Sequence, residues 1–96
     1  MTALNGYFAT QHASKYLQQL CKHFAHKIEA THSQDSGVAR FVFGPAYFTA
    51  DAEKLSVRFD LESADAIEPA KHVIDSHLKK FAFREDFEAM IWTSPS

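Results

Sequence analysis

The segment K-L-S-V-R-F-D-L, Lys54–Leu61, decides the fold class. Leu55, Val57, Phe59 and Leu61 alternate with Lys54, Ser56, Arg58 and Asp60, so a strand here turns its apolar side chains one way and its polar ones the other. A strand with one wet face belongs to an antiparallel sheet covered on one side, because strands buried in parallel sheets are apolar on both faces. The cover has to come from amphipathic helices, and the sequence supplies two.

The first is S-K-Y-L-Q-Q-L-C-K-H-F-A-H-K-I at residues 14–28. At about 100° per residue, Leu17, Leu20, Cys21, Phe24 and Ile28 share a stripe, with Lys15, Gln18, Gln19, Lys22 and His26 opposite. Ser14 is the expected N-cap. The second helix spans residues 65–81, with Ile67, Ala70, Ile74, Leu78 and Phe81 as its stripe; Pro69 must lie in its first turn, since in the interior it costs about 3 kcal/mol. His77 borders that stripe and His72 faces away.

Further strands fall at residues 3–9, 27–32, 38–43, 46–50 and 87–93, and the last three residues form a tail. The S-Q-D-S-G turn separates the second strand from the third, and Gly44-Pro45 breaks the third from the fourth. The order β-α-β-β-β-β-α-β predicts an α+β two-layer sandwich: a mostly antiparallel sheet with two helices on one face. With 96 residues, one domain over residues 1–96 is expected. The sequence leaves the position of the first strand relative to the last open.

Charge and cysteine content narrow the partners. Ten Lys+Arg against 12 Asp+Glu give a net charge of −2, which provides no basic stripe for a phosphate backbone, so no nucleic-acid partner is expected. The single cysteine forms no intrachain disulfide. No secretory signal and no apolar run of about 18 residues is visible, so the expected setting is cytoplasmic, with no membrane partner.

Two stretches carry a family likeness. K-Y-L-Q-Q-L-C-K-H-F-A-H-K (residues 15–27) and H-L-K-K-F-A-F-R-E (residues 77–85) flank G-P-A-Y-F-T-A-D and L-S-V-R-F-D-L-E-S, and Trp92 follows. In these motifs the chain resembles a family of short bacterial proteins, domain-of-unknown-function family 2218, over nearly its whole length. The C-x-H-x-x-H signature stands intact at Cys21, His23 and His26, and F-x-F-R-E at Phe81, Phe83, Arg84 and Glu85. Where relatives carry an aromatic-rich second strand ending in Trp, this chain has Thr31-His32-Ser33. The resemblance implies no established activity or cofactor. It implies an association with iron handling, because similar domains occur beside or fused to siderophore-interacting reductases.

Four constellations bear on function. Cys21, His23 and His26 offer zinc or copper donors, but Cys21 points about 140° from His26 and about 160° from His23 on a helix, so the three cannot close on one ion. Cys21 is then a small core hydrophobe, and no oxyanion-hole motif accompanies it as a nucleophile. His23 and His26, at i and i+3, remain the candidate metal pair, with further ligands needed from His12, His77 or Glu85. Arg84-Glu85-Asp86 offers either a structural clamp or a planar fork for an anionic substrate. No catalytic residue stands out: the chain has no P-loop, dinucleotide fingerprint or zinc-protease motif.

The fourth constellation is the uncovered sheet face. If Phe87, Ala89 and Ile91 face the helices, Met90 and Trp92 face outward and join Tyr47 and Arg58 in an aromatic patch rimmed by arginine. A homodimer, a protein partner or a ligand is the expected occupant of such a face. A binding or accessory module is therefore the leading expectation. A metal-binding protein using His23 and His26 comes second, and a small enzyme with Arg84 holding its substrate third.

Overall fold

The computed structural model describes residues 2–85 and 87–93; Asp86 and the tail at 94–96 lie outside the described residues. Six strands and two helices follow the expected order: β1 Thr2–Ala9, α1 Ala13–Phe24, β2 Ala30–His32, β3 Ser36–Phe41, β4 Gly44–Ala50, β5 Lys54–Leu61, α2 Ile67–Phe81 and β6 Ile91–Thr93. Every pairing is antiparallel, in the spatial order β2-β3-β4-β5-β1-β6. Strands β2 to β5 form a meander because tight turns join them. The N-terminal strand then inserts between β5 and β6, and that settles where the first and last strands lie.

The period of two in β5 is realised in full. Leu55, Val57, Phe59 and Leu61 are buried, and cross-strand partners extend that layer to Leu4 and Gly6 on β1 and to Ala46 and Phe48 on β4. Tyr16, Leu17, Leu20, Cys21 and Phe24 of α1, with Ala70, Ile74 and Leu78 of α2, close over the layer and complete one core. Each large side chain in it contributes about 1.5–3 kcal/mol by leaving water.

Several element ends differ from the sequence reading: β2 begins at Ala30 rather than residue 27, β3 spans Ser36–Phe41 rather than residues 38–43, and α2 begins at Ile67 rather than residue 65. Helix α1 starts one residue before Ser14, without a side-chain cap; the Ser14 hydroxyl donates instead to the Gln34 carbonyl. It stops at Phe24 rather than Ile28, since the amides of His26 and Lys27 bond to the carbonyls of His23 and Phe24 in a tightened last turn. Gly44 and Pro45 begin β4 instead of breaking the chain before it. Gly44 has φ 137°, and a Cβ there would lie 2.1 Å from the Asp60 carbonyl oxygen, so only glycine fits.

The last strand shortens from residues 87–93 to Ile91–Thr93, and its parity changes with it. Phe87 and Met90 are both buried, at a spacing of three that no strand allows, so alternation cannot be carried from one to the other. Register sets Trp92 opposite Gly6, on the helix side, and Ile91 opposite Tyr7, outward. Met90 and Trp92 thus do not face the open side, contrary to the expectation from continuous alternation.

Candidate functional site

Three features could carry chemistry, and each was visible in part from the sequence. The first is the Arg84–Glu85 corner, where a short 3-10 turn, Phe83–Glu85, follows α2. Glu85 accepts hydrogen bonds from the Thr10 hydroxyl at 2.8 and 3.0 Å and from the Tyr16 hydroxyl. Burial, with the Glu85 carboxylate beside it, pushes the Tyr16 phenol up to about 12. Glu85 therefore fastens the end of α2 to the start of α1. Arg84 turns away from this bond network, its guanidinium 5.5 Å from the centre of the exposed Phe83 ring. Neither residue lines any of the three best-formed depressions among the described residues. Asp86 lies outside the described residues.

The second feature is the histidine side of α1. The early end of the helix leaves His26 in the following turn, and the ring that His23 packs against is that of His77 on α2, with centroids 4.5 Å apart. The His77 Nδ1–H donates to the Val73 carbonyl at 2.6 Å, which fixes the tautomer and leaves Nε2 as its free nitrogen. Desolvation, His77, Lys27, His26 and Lys80 together hold His23 below the usual histidine range. Among the described residues no three His, Cys, Asp or Glu side chains converge to hold a metal ion. Two imidazoles beside lysines do not fit the four-ligand set of a structural zinc site. Cys21 is fully buried on the apolar stripe, and burial pushes its thiol up to about 11.

The third feature is the open face of the sheet. Register places Thr31, Val38, Tyr47, Arg58, Asn5 and Thr93 in one row across all six strands. The next row holds Ser36, Thr49, Ser56, Tyr7 and Ile91. Where these rows cross β4, β5 and β1 lies a shallow depression of about 490 Å³. Both charged residues that line it, Lys54 and Arg58, are cationic. Arg58 stands 4.9 Å from the Tyr47 ring centre and Lys54 5.7 Å from that of Tyr7, so two cation–aromatic pairs flank the depression on opposite sides of β5. Arg58 also lies 3.6 Å from Asp60, an exposed contact of little strength.

Between the pairs the lining is largely apolar, with a few polar groups set into it. The side chains of Asn5, Thr49, Ser56 and Thr93, and the hydroxyls of Tyr7 and Tyr47, bond to no described residue. Their hydrogen-bonding capacity faces outward and is available to whatever occupies the face.

Of the residues predicted for this face, Tyr47 and Arg58 stand together as expected, and Met90 and Trp92 do not join them. Met90 is buried under α2, and its amide donates to Asp75 at 2.9 Å. The Trp92 indole N–H donates to the same carboxylate at 2.9 Å, which holds the ring inside against Gly6 and Phe59. Asn5, Tyr7, Lys54 and Ser56 were missed. Leu4, Gly6 and Phe8 on the inner side imply Asn5 and Tyr7 on the outer one, so the signal was present. What the sequence lacked was the neighbour relation of β1 and β5.

A comparison with curated proteins finds no match. Among solved structures, the NMR structure of PA4090 from Pseudomonas aeruginosa is similar, with a TM-score of 0.79 and 24% identity, covering 97% of this chain and 96% of that one. At that identity the likeness shows the fold alone. Residues 5–93 match the family described as "Uncharacterized protein conserved in bacteria (DUF2218)". This match spans the sheet, both helices and the F-R-E corner, and the chain belongs to that family.

Proposed function

We propose that the protein is a non-enzymatic binding or accessory module of the cytoplasm that takes a small anionic ligand on the open face of its sheet. The observation that carries this reading is the depression over β5, with its two cations, two tyrosine rings and a few polar groups that bond to no described residue. Its volume of about 490 Å³ falls in the range of small-molecule sites, about 300–1,000 Å³. Charge complementarity selects the sign of the occupant: a second copy would bring the same cations to the interface, whereas an anion is attracted by both. The iron-handling setting implied by the family resemblance belongs to this reading as context. It predicts that the protein's abundance rises under iron limitation, and unchanged abundance would remove it.

The test is a screen of charged and neutral fragments by two-dimensional amide NMR. Saturable shifts at Asn5, Tyr7, Tyr47, Ser56 and Arg58 with anionic fragments are expected. Shifts confined to the helix side, or loss of signal through self-association across the same face, would reject the reading.

A further inference from the structure

We infer, on the basis of the open-face site, that its ligand is a planar aromatic carboxylate of one or two rings, lying over Ser56 between Tyr47 and Tyr7. The floor beneath is the first argument. Lys54, Ser56 and Arg58 are successive outward residues of β5, and the central one is small. A flat ring can therefore descend to the sheet between the taller side chains that flank it. Tyr47 on β4 and Tyr7 on β1 stand on the two sides of that strip, displaced by one row along the strands, which suits an offset rather than a sandwich contact with a ring between them.

The cations set the second argument. Arg58 and Lys54 lie four residues apart on one strand, about 14 Å along it, so they mark the two ends of the strip. The Arg58 guanidinium is planar and already rests on the Tyr47 ring; its fork can give a carboxylate two parallel N–H bonds without leaving that ring. Lys54 at the other end is a point charge on a flexible stem and favours a second electron-rich substituent there. Hydroxyl or carbonyl groups on the ring meet Thr49, Ser56, Asn5 and Thr93, none of which is committed elsewhere among the described residues. A flexible aliphatic acid would satisfy Arg58 but offer no flat surface to the Arg58–Tyr47 and Lys54–Tyr7 pairs. A neutral ring would bring no charge to Lys54 and would leave Arg58 with only its weak, exposed contact to Asp60.

The experiment uses the whole chain and three probes: naphthoate, cyclohexanecarboxylate and naphthalenemethanol, each titrated by amide NMR. Naphthoate is expected to shift Tyr7, Tyr47, Ser56 and Arg58 saturably and to bind at least tenfold more tightly than either of the others. Arg58→Gln should weaken naphthoate by about tenfold to a hundredfold, the loss of one charge-assisted contact, while leaving naphthalenemethanol unchanged. Tyr7→Ala should weaken both ring compounds together. Both substitutions sit on the solvent face, and an unchanged melting temperature confirms that the fold is intact. Equal binding of cyclohexanecarboxylate at the same residues overturns the planar class but leaves an anion site. Absence of any naphthoate shift there overturns the inference, and the fragment screen then decides separately whether the face binds anything.

Discussion

Gly6 shows how one atom can fix an architecture. A Cβ at this position would lie 2.6 Å from the Trp92 ring, so the indole crosses the sheet only because β1 presents bare backbone there. Gly6→Ala is expected to destabilise the protein by about 1–3 kcal/mol, read from urea unfolding, because neither the ring nor the strand can move away. The same reasoning explains the inertness of Cys21. Its thiol is fully buried and pushed up to about 11, so at neutral pH no thiolate is exposed to a reagent. A disulfide reagent should label Cys21 only as fast as the protein opens, and at once in denaturant. Rapid labelling of the native protein would show that α1 is not seated as described. The sequence made Cys21 legible because its place on an unbroken helical stripe decides its fate. Gly6 was not legible, because its reason lies in a residue 86 positions away.

At the scale of elements, legibility followed regularity. Strand β5 could be read outright because its alternation is unbroken, and with it Arg58 and Lys54 acquire a face. Tyr47 followed from β4 in the same way. Strand β6 could not be read, because the stretch before it, residues 87–90, buries Phe87 and Met90 by looping and not by alternating. What orients β6 instead is Asp75, a carboxylate on α2 that accepts from the Met90 amide and the Trp92 indole. Asp75→Ala should cost about 2 kcal/mol in unfolding free energy through the loss of two charge-assisted bonds. It should also shift Trp92 fluorescence to the red as the ring gains water, while Asp75→Glu leaves the spectrum nearer the wild type. An unchanged emission maximum in Asp75→Ala would mean that the Gly6 notch alone holds the ring. The outward-facing row on β1, Asn5 and Tyr7, was half legible: its parity was in the sequence, its neighbours were not.

For the whole molecule, shifted groups bound the pH range of stability from both sides: His23 and, in stronger acid, Asp51 on one flank, Cys21 and Tyr16 on the other. His23 is held below its ordinary value of 6.5, so its neutral form is the one the fold prefers; that contribution is full above pH 6.5 and fades as pH falls below it. Tyr16 is raised from 10.0 to about 12, so the fold prefers its protonated form; that contribution is full below pH 10.0 and is lost as pH rises toward 12. Melting temperature against pH should therefore fall on both flanks. His23→Gln should flatten the acid flank near pH 6.5, and Tyr16→Phe should flatten only the part of the alkaline flank that Cys21, raised from 9.0 to about 11, does not supply, after an overall loss from the missing bond to Glu85. An acid flank indifferent to His23→Gln would assign it to other groups. The strand order has a consequence of another kind, for the making of the protein. Strand β1 is the first to leave the ribosome, yet its neighbours in the sheet are β5 and β6, the last two strands to be synthesised. During translation its Leu4 and Phe8 have no β-partner until β5 has emerged, so the sheet can close only late in the synthesis of these residues. A nascent chain stalled before Lys54 should be a client for chaperones and open to proteases, and one stalled well beyond Leu61 should be protected.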